Sequence, residues 1–212
     1  ILLIALLAFP PGDASAQEDE PSPKKEMYTM SLEDLMEVEV EVASKSKQSM
    51  RESPGIISVI SREQIQKMGA RDLIDVLRMV PGFQFGMDVQ GVVGVGIRGN
   101  WAHEGKMSLQ VDGQEINETL YSTTQFGRHF PVDHIQRIEI IRGPGSALYG
   151  GYAELGVVNI ITRDATELDG AAFSTSFSEM EGTYGQRNMS LSYGTTANDL
   201  EISLHTFLGA AN

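Results

Sequence analysis

At 212 residues the chain has room for one or two ordinary domains, and its net charge of −13 argues against nucleic acid or anionic lipid as a partner of the surface as a whole. It contains no cysteine, which excludes disulfides and thiolate chemistry.

The chain opens on an apolar run, residues 1–9, followed by Pro10, Pro11, Gly12 and then Ala14-Ser15-Ala16. This reads as the hydrophobic region of a secretion signal ahead of a small-residue cleavage site, cut after Ala16, with a buried core helix as the other reading. The run is too short to cross a bilayer as a helix, and no other segment is apolar enough to do so. Residues 17–26 are charged and carry proline, hence a flexible extension, and 31–36 read as one helical turn. Next comes EVEVEVA at 37–43, whose period of two puts Val38, Val40 and Val42 on one face and Glu37, Glu39 and Glu41 on the other. Such a strand can add to the edge of a partner's sheet or serve as an ordinary edge strand of its own domain.

From Arg51 a mixed α+β pattern begins. Residues 56–60 read as a strand. Ser61 with Gln64 forms a capping box for a short helix that Gly69 stops. A second helix over 72–80 places Leu73, Val76, Leu77 and Val80 on one face before Pro81-Gly82. Short strands are expected near 83–85, 93–98 and 107–111, with Asp112-Gly113 as a hairpin turn. Residues 135–142 and 157–162 are β-branched strands, the second buried on both faces, and glycines 143, 145, 150, 151 and 156 punctuate the turns between them.

Beyond Asp164 the pattern changes to three amphipathic stretches. Phe173, Thr175 and Phe177 alternate with serines; Met189, Leu191 and Tyr193 alternate with Asn188, Ser190 and Ser192; Leu200, Ile202 and Leu204 alternate with Glu201, Ser203 and His205. Lipid-facing and lumen-facing positions of a β-barrel read this way, and so does a one-sided soluble sheet.

Motifs for chemistry fail on context. Gly94, Gly96 and Gly99 make a formal GxGxxG, but loop-like residues follow where a dinucleotide site needs a helix. The glycine-rich 143–151 stretch lacks the Lys-Ser/Thr of a phosphate loop. His103-Glu104 lacks the second histidine of a zinc helix, and Ser146 has no paired base. No enzyme activity, cofactor or metal site is expected.

Residues 132–163 carry the strongest signal. Ile138-Glu139, Arg142-Gly143-Pro144, Ser146-Ala147-Leu148-Tyr149-Gly150 and the run VVNIITR at 157–163 closely resemble the end of the plug domain of TonB-dependent outer-membrane transporters. The likeness extends to Pro81-Gly82-Phe83, Ile97-Arg98-Gly99 and Val111-Asp112-Gly113. The resemblance implies an α+β plug domain, a short mixed sheet with small helices, followed by the start of a transmembrane antiparallel β-barrel. It divides the chain into a partial signal peptide (1–16), a periplasmic extension with a TonB box (17–50), the plug (51–164) and first barrel strands (165–212). Residues 170–212 hold three or four strands of about 9–11 residues, whereas plugged barrels have about 22 strands, so the barrel is expected to be incomplete.

The same resemblance implies that Glu37, Val38, Glu39, Val40, Glu41, Val42 and Ala43 bind TonB, which works with the ExbB-ExbD inner-membrane motor. It implies that Arg98 and Arg142 lock the plug to glutamates of the barrel wall; an ordinary surface arginine at a strand end is the alternative. It points loops 85–92, 100–106 and 114–128 at an extracellular ligand, with Gln90, Trp101, His103 and Tyr121 as candidate contacts or as loop packing. The implied activity is energy-coupled import of a ferric siderophore or cobalamin-like metal chelate across the bacterial outer membrane, with membrane lipid around the barrel and the plug facing the periplasm. A soluble periplasmic α+β ligand-binding module is the competing reading.

Overall fold

The computed structural model describes residues 39–40, 48–49, 56–89, 91–124, 126, 130–145, 149–180, 183–198 and 200–211. From the acid–valine run, β1 (Glu39–Val40) pairs antiparallel with β2 (Gln48–Ser49) in a two-stranded ladder of their own. Glu37, Val38, Glu41, Val42, Ala43 and the turn expected at 31–36 lie outside the described residues.

The next strand, β3 (Ile57–Ser61), ends where Ser61 caps α1 (Arg62–Lys67). Both halves of the capping box form: the Gln64 N–H donates to the Ser61 hydroxyl, and the Ser61 N–H donates to the Gln64 side chain at 2.9 Å. Arg62 then ties this helix down by donating from Nη1 to the carbonyls of Asp133 and Ile135. Asp72 caps α2 (Leu73–Leu77), which is shorter than its apolar spacing suggests. Pro81 disfavours helical geometry at the residue before it, so the chain leaves the helix through single turns at Met79 and Val80 while Val80 stays buried.

Two sheets follow. β4 (Phe83–Met87), β5 (Val93–Ile97) and β6 (Asn100–Trp101) form an antiparallel sheet in that order. The second contains β7 (Met107–Val111), β8 (Gln114–Glu115), β9 (Ile135–Arg142) and β10 (Gly156–Thr162), in the spatial order β3-β9-β10-β7-β8. All pairings in it are antiparallel except β10 with β7, a crossover with Gly156 opposite Met107. Asp112 and Gly113 both adopt positive φ, as the two-residue hairpin turn requires.

Ile138, Ile140 and Ile160 of the larger sheet pack with Leu73, Leu77, Ile97 and Leu109 in one apolar core. Each such side chain contributes about 1.5–3 kcal/mol through burial. Glu139 is 0% exposed in the middle of β9 and is paired with Arg137 Nε at 2.8 Å. A charge at that depth is tolerable because it is ion-paired. Two glycines beside β10 work by close approach: a Cβ on Gly156 would lie 2.9 Å from the Ile141 carbonyl oxygen, and one on Gly145 would lie 2.6 Å from Val157 Cγ2.

Past Thr162 the chain makes a four-residue helix, α3 (Ala165–Leu168), capped by Asp164 and absent from the expected elements. It leads into an antiparallel sheet of long strands: β11 (Gly170–Met180), β12 (Thr183–Ala197) and β13 (Leu200–Ala211). Their registers line up one exposed face that carries Phe173, Leu191, Leu204 and Leu208. The opposite face carries Ser174, Ser190, Ser192 and His205, and it packs on the globular domain. Gly194 makes that contact possible, since a Cβ there would meet Leu168 and come within 2.8 Å of the Ala165 carbonyl oxygen.

Replacing Gly194 with valine should therefore force α3 off the sheet. The expected cost is about 1–3 kcal/mol of overpacking, read as a lower unfolding midpoint of the full-length protein. An unchanged midpoint would mean that the contact contributes nothing.

Candidate functional site

Four loops meet at one end of the globular domain. The β4–β5 turn is closed by Asp88, whose backbone N–H donates to the Val92 carbonyl and whose carboxylate accepts from the Val92 N–H. Gln90, at its tip, lies outside the described residues. Trp101 pairs with Gly96, and its ring spreads across the neighbouring glycines: a Cβ on Gly94 would run into it, and one on Gly86 would touch it at 3.7 Å. His103 lies beside the same glycine, with its ring centroid 6.0 Å from that of Trp101.

His103 is only 5% exposed, and its Nδ1 has no hydrogen-bond partner among the described residues. Its burial beside the Trp101 ring matches the loop-packing reading of this residue, and glycine at position 94 leaves room for both side chains over the strand. Tyr121 does stand in solvent. Its turn is shaped by the Glu118 carboxylate, which accepts from the N–H groups of Leu120 at 2.6 Å and Tyr121 at 2.8 Å. Those two bonds hold the Glu118 carboxyl below its usual range.

Two residues without a sequence signal complete this end. Asn117 clamps the loop: its amide donates to the carbonyls of Met107 and Ser122, and its oxygen accepts from the Leu109 N–H. Tyr152 lies over Gly105, where a Cβ would come within 3.0 Å of its ring.

Arg98 and Arg142 come together on the far side of the β4–β5 hairpin. Arg98 sits at φ +50° and donates from Nη2 to the Arg142 carbonyl at 2.9 Å. The Arg142 guanidinium reaches the Pro81 carbonyl at 3.5 Å, and its Nε is buried without a partner among the described residues. Neither arginine is ion-paired among those residues. Like the candidate ligand residues, they supply no chemistry beyond binding, and no group of three potential metal ligands occurs among the described residues.

A third region is the seam between the globular domain and the long strands. His205 bonds through Nδ1 to the Ser192 hydroxyl at 2.9 Å, and its Nε2 donates to the Arg163 carbonyl at 3.2 Å. His134 faces it with 5.7 Å between ring centroids, beside a cavity of about 200 Å³ lined also by Pro131, Ser190 and Phe207. Burial, and then the nearby His205, lower the His134 pKa from its ordinary value; Arg62 acts the same way, while Asp133 and Asp112 oppose the shift.

The fold thus defines a small α+β stopper joined directly to strands whose outer face is apolar. A family model described as the TonB-dependent receptor plug domain matches residues 49–157, and the chain belongs to that family. Among curated proteins it is 33% identical over 142 residues to the vitamin B12 transporter BtuB of Vibrio vulnificus, covering 64% of this chain and 22% of that protein. It is 36% identical over 135 residues to the iron-regulated outer membrane virulence protein of Vibrio cholerae, covering 60% and 20%. Among solved structures, the ferric preacinetobactin receptor BauA of Acinetobacter baumannii aligns over 82% of this chain and 25% of its own, with a TM-score of 0.59 and 17% identity, a likeness of fold. The chain spans about a fifth of the length of the curated relatives it matches.

Because the folded-state pKa of His134 lies below the unfolded one, protonation favours the unfolded chain. Stability should fall as pH drops below about 6.5 and level off once the lowered value is passed. Thermal unfolding of the full-length protein between neutral and mildly acidic pH should show this slope, and His134→Gln should flatten it. An equal slope in both proteins would rule out His134 as its source.

Proposed function

We propose that the chain is the plug and first wall strands of an outer-membrane importer that takes up scarce metal chelates, either ferric siderophores or cobalamin-like compounds, with energy delivered through TonB. The observation that carries this reading is the pairing of two faces on one sheet. Its outer face exposes Phe173, Leu191 and Leu204, while serines and His205 of its inner face meet the stopper. An apolar band of this kind is covered at low cost by lipid and at high cost by water. The strand lengths, 11, 15 and 12 residues, suffice to cross a bilayer at a tilt. A soluble periplasmic module would leave that band wet.

In this reading residues 1–16 are a secretion signal, 17–50 the periplasmic extension, 51–164 the plug and 165–212 the start of the barrel. Ligand binding at the loop end favours a plug state in which 37–43 is offered to the periplasm. TonB adds that segment to its own sheet and pulls, powered by the ExbB-ExbD motor. Pairing of β1 with β2 supports the extended character of the segment, since Glu39 and Val40 already sit in a ladder.

Val40→Pro deletes a backbone donor from the segment. Chelate uptake by cells should be lost while chelate binding to the purified full-length receptor is unchanged; surviving uptake would exclude strand addition.

Arg98 and Arg142, clustered without a carboxylate partner among the described residues, are suited to pair with glutamates of the wall. The double change to glutamine should leave ligand binding intact and raise passive leakage of small antibiotics through the receptor. Unchanged leakage would assign the arginines to the stopper alone.

A further inference from the structure

Two imidazoles face each other where the stopper meets the long strands, one from each side. His134 lies just before β9 and His205 lies on β13, with 5.7 Å between ring centroids. A cavity of about 200 Å³ opens beside them, and β12 lines it with Ser190 and Ser192, which carry no charge. Both histidines are bonded to Arg163, the residue after β10: its N–H donates to the His134 carbonyl, and its carbonyl accepts from His205 Nε2. The pair therefore brackets the point where the chain leaves the stopper.

The two rings differ in how they can take up a proton. His205 Nε2 already donates to a carbonyl, and its Nδ1 meets the Ser192 hydroxyl, a group that both donates and accepts. A proton added at Nδ1 requires only that this hydroxyl rotate, and no bond is lost. His134 is the worse place for charge. Burial and the facing His205 lower its pKa, and Arg62 on α1 acts the same way. Asp133 beside it and Asp112 of the β7–β8 turn oppose the shift without cancelling it. Arg163 directs its Nη2 to the Glu167 carbonyl. With the seam closed, a proton on each ring sets two like charges face to face. Parting the surfaces hydrates both rings and returns His134 to an ordinary imidazole, so protonation and parting favour each other.

We propose that His134 and His205 form a proton-operated latch between stopper and wall: neutral rings hold the seam closed, and protonation of both parts it around Arg163 while the apolar core of the stopper stays intact. Below about pH 6.5 the open seam binds more protons than the closed one, so opening gains as pH falls and levels off once the lowered value is passed. The latch belongs to the two parts and their junction. Only its use, an easier release of the stopper in acid, rests on the importer reading above.

The test is thiol accessibility in the full-length receptor in detergent, carrying one introduced cysteine at a time. Ser190→Cys places a buried thiol at the cavity, Asn198→Cys an exposed one that corrects for the reactivity of thiols at each pH, and Ser108→Cys a buried one within the stopper. From about pH 7.5 to about pH 5.5 the corrected labelling rate at position 190 should rise several-fold, with about tenfold as the limit for one linked proton. Position 108 should stay protected throughout. His134→Gln should abolish the rise. His205→Gln, which withdraws the facing charge but keeps an amide able to bond the Arg163 carbonyl, should reduce it. Equal corrected rates at both pH values, a rise kept in full by either variant, or exposure of position 108 together with position 190 overturns the latch. None of these results touches the importer reading, which falls instead if the protein is absent from outer membranes and supports no chelate uptake.

Discussion

A globular sheet and a wall of long strands with an apolar outer face have to be joined through the residues between Thr162 and Gly170, and that junction fixes how the two halves sit. Thr162 is pinned by the Asp112 carboxylate, which accepts from both its N–H and its hydroxyl. The Arg163 N–H donates to His134, and its carbonyl accepts from His205 on the third long strand. Asp164 caps α3, and Asp169 at φ +37° followed by Gly170 at φ +118° turns the chain into β11. Backbone groups at Thr162 and Arg163 bond to both stopper and wall, while those of α3 bond within the junction. The junction is therefore a bracket, and Gly194 is the notch that lets α3 seat in it.

Glycine serves the loop end in a different way. At Gly94 and Gly105 the missing side chain is replaced by an aromatic ring from elsewhere in the chain. A ring laid on backbone keeps little conformational freedom, because its packing has already fixed it. His103 beneath Trp101 and Asn117 beneath the next loop extend the same logic one layer inward. Packed supports thus hold the exposed groups of these loops.

How much of this was legible in the sequence depended on the range of the interaction. The isoleucines of β9, the capping box at Ser61 and the turn at Asp112-Gly113 are local features, and the structure has them where the residues indicate. The long strands were legible from alternation alone, though they run further than the apolar positions suggest because polar residues continue the ladders. Other features had no local trace. Helix α3 is a single turn set beside an alternating run, so the period of two hides it. Tyr152 matters because it meets a glycine far back in the chain, and it sits in a glycine-rich stretch that reads as a turn. His103 gives no hint of burial, since the space it fills is created by Gly94 on another strand.

The core of the stopper and its seam with the long strands cohere by different means. Within the stopper, cohesion is apolar: Leu73, Ile97, Leu109, Ile138 and Ile160 share one core, and breaking it exposes all of them together. Between stopper and wall, the described residues meet through the His205 bond to the Arg163 carbonyl and through Ala165 and Leu168 seated on Gly194. A hydrogen bond of this sort contributes about 0.5–1.5 kcal/mol net, because water replaces either partner when the surfaces part. A cavity lies at this seam between His134 and His205. Apolar packing over the whole inner face would have made the wall part of the core, and the two could then separate only by unfolding.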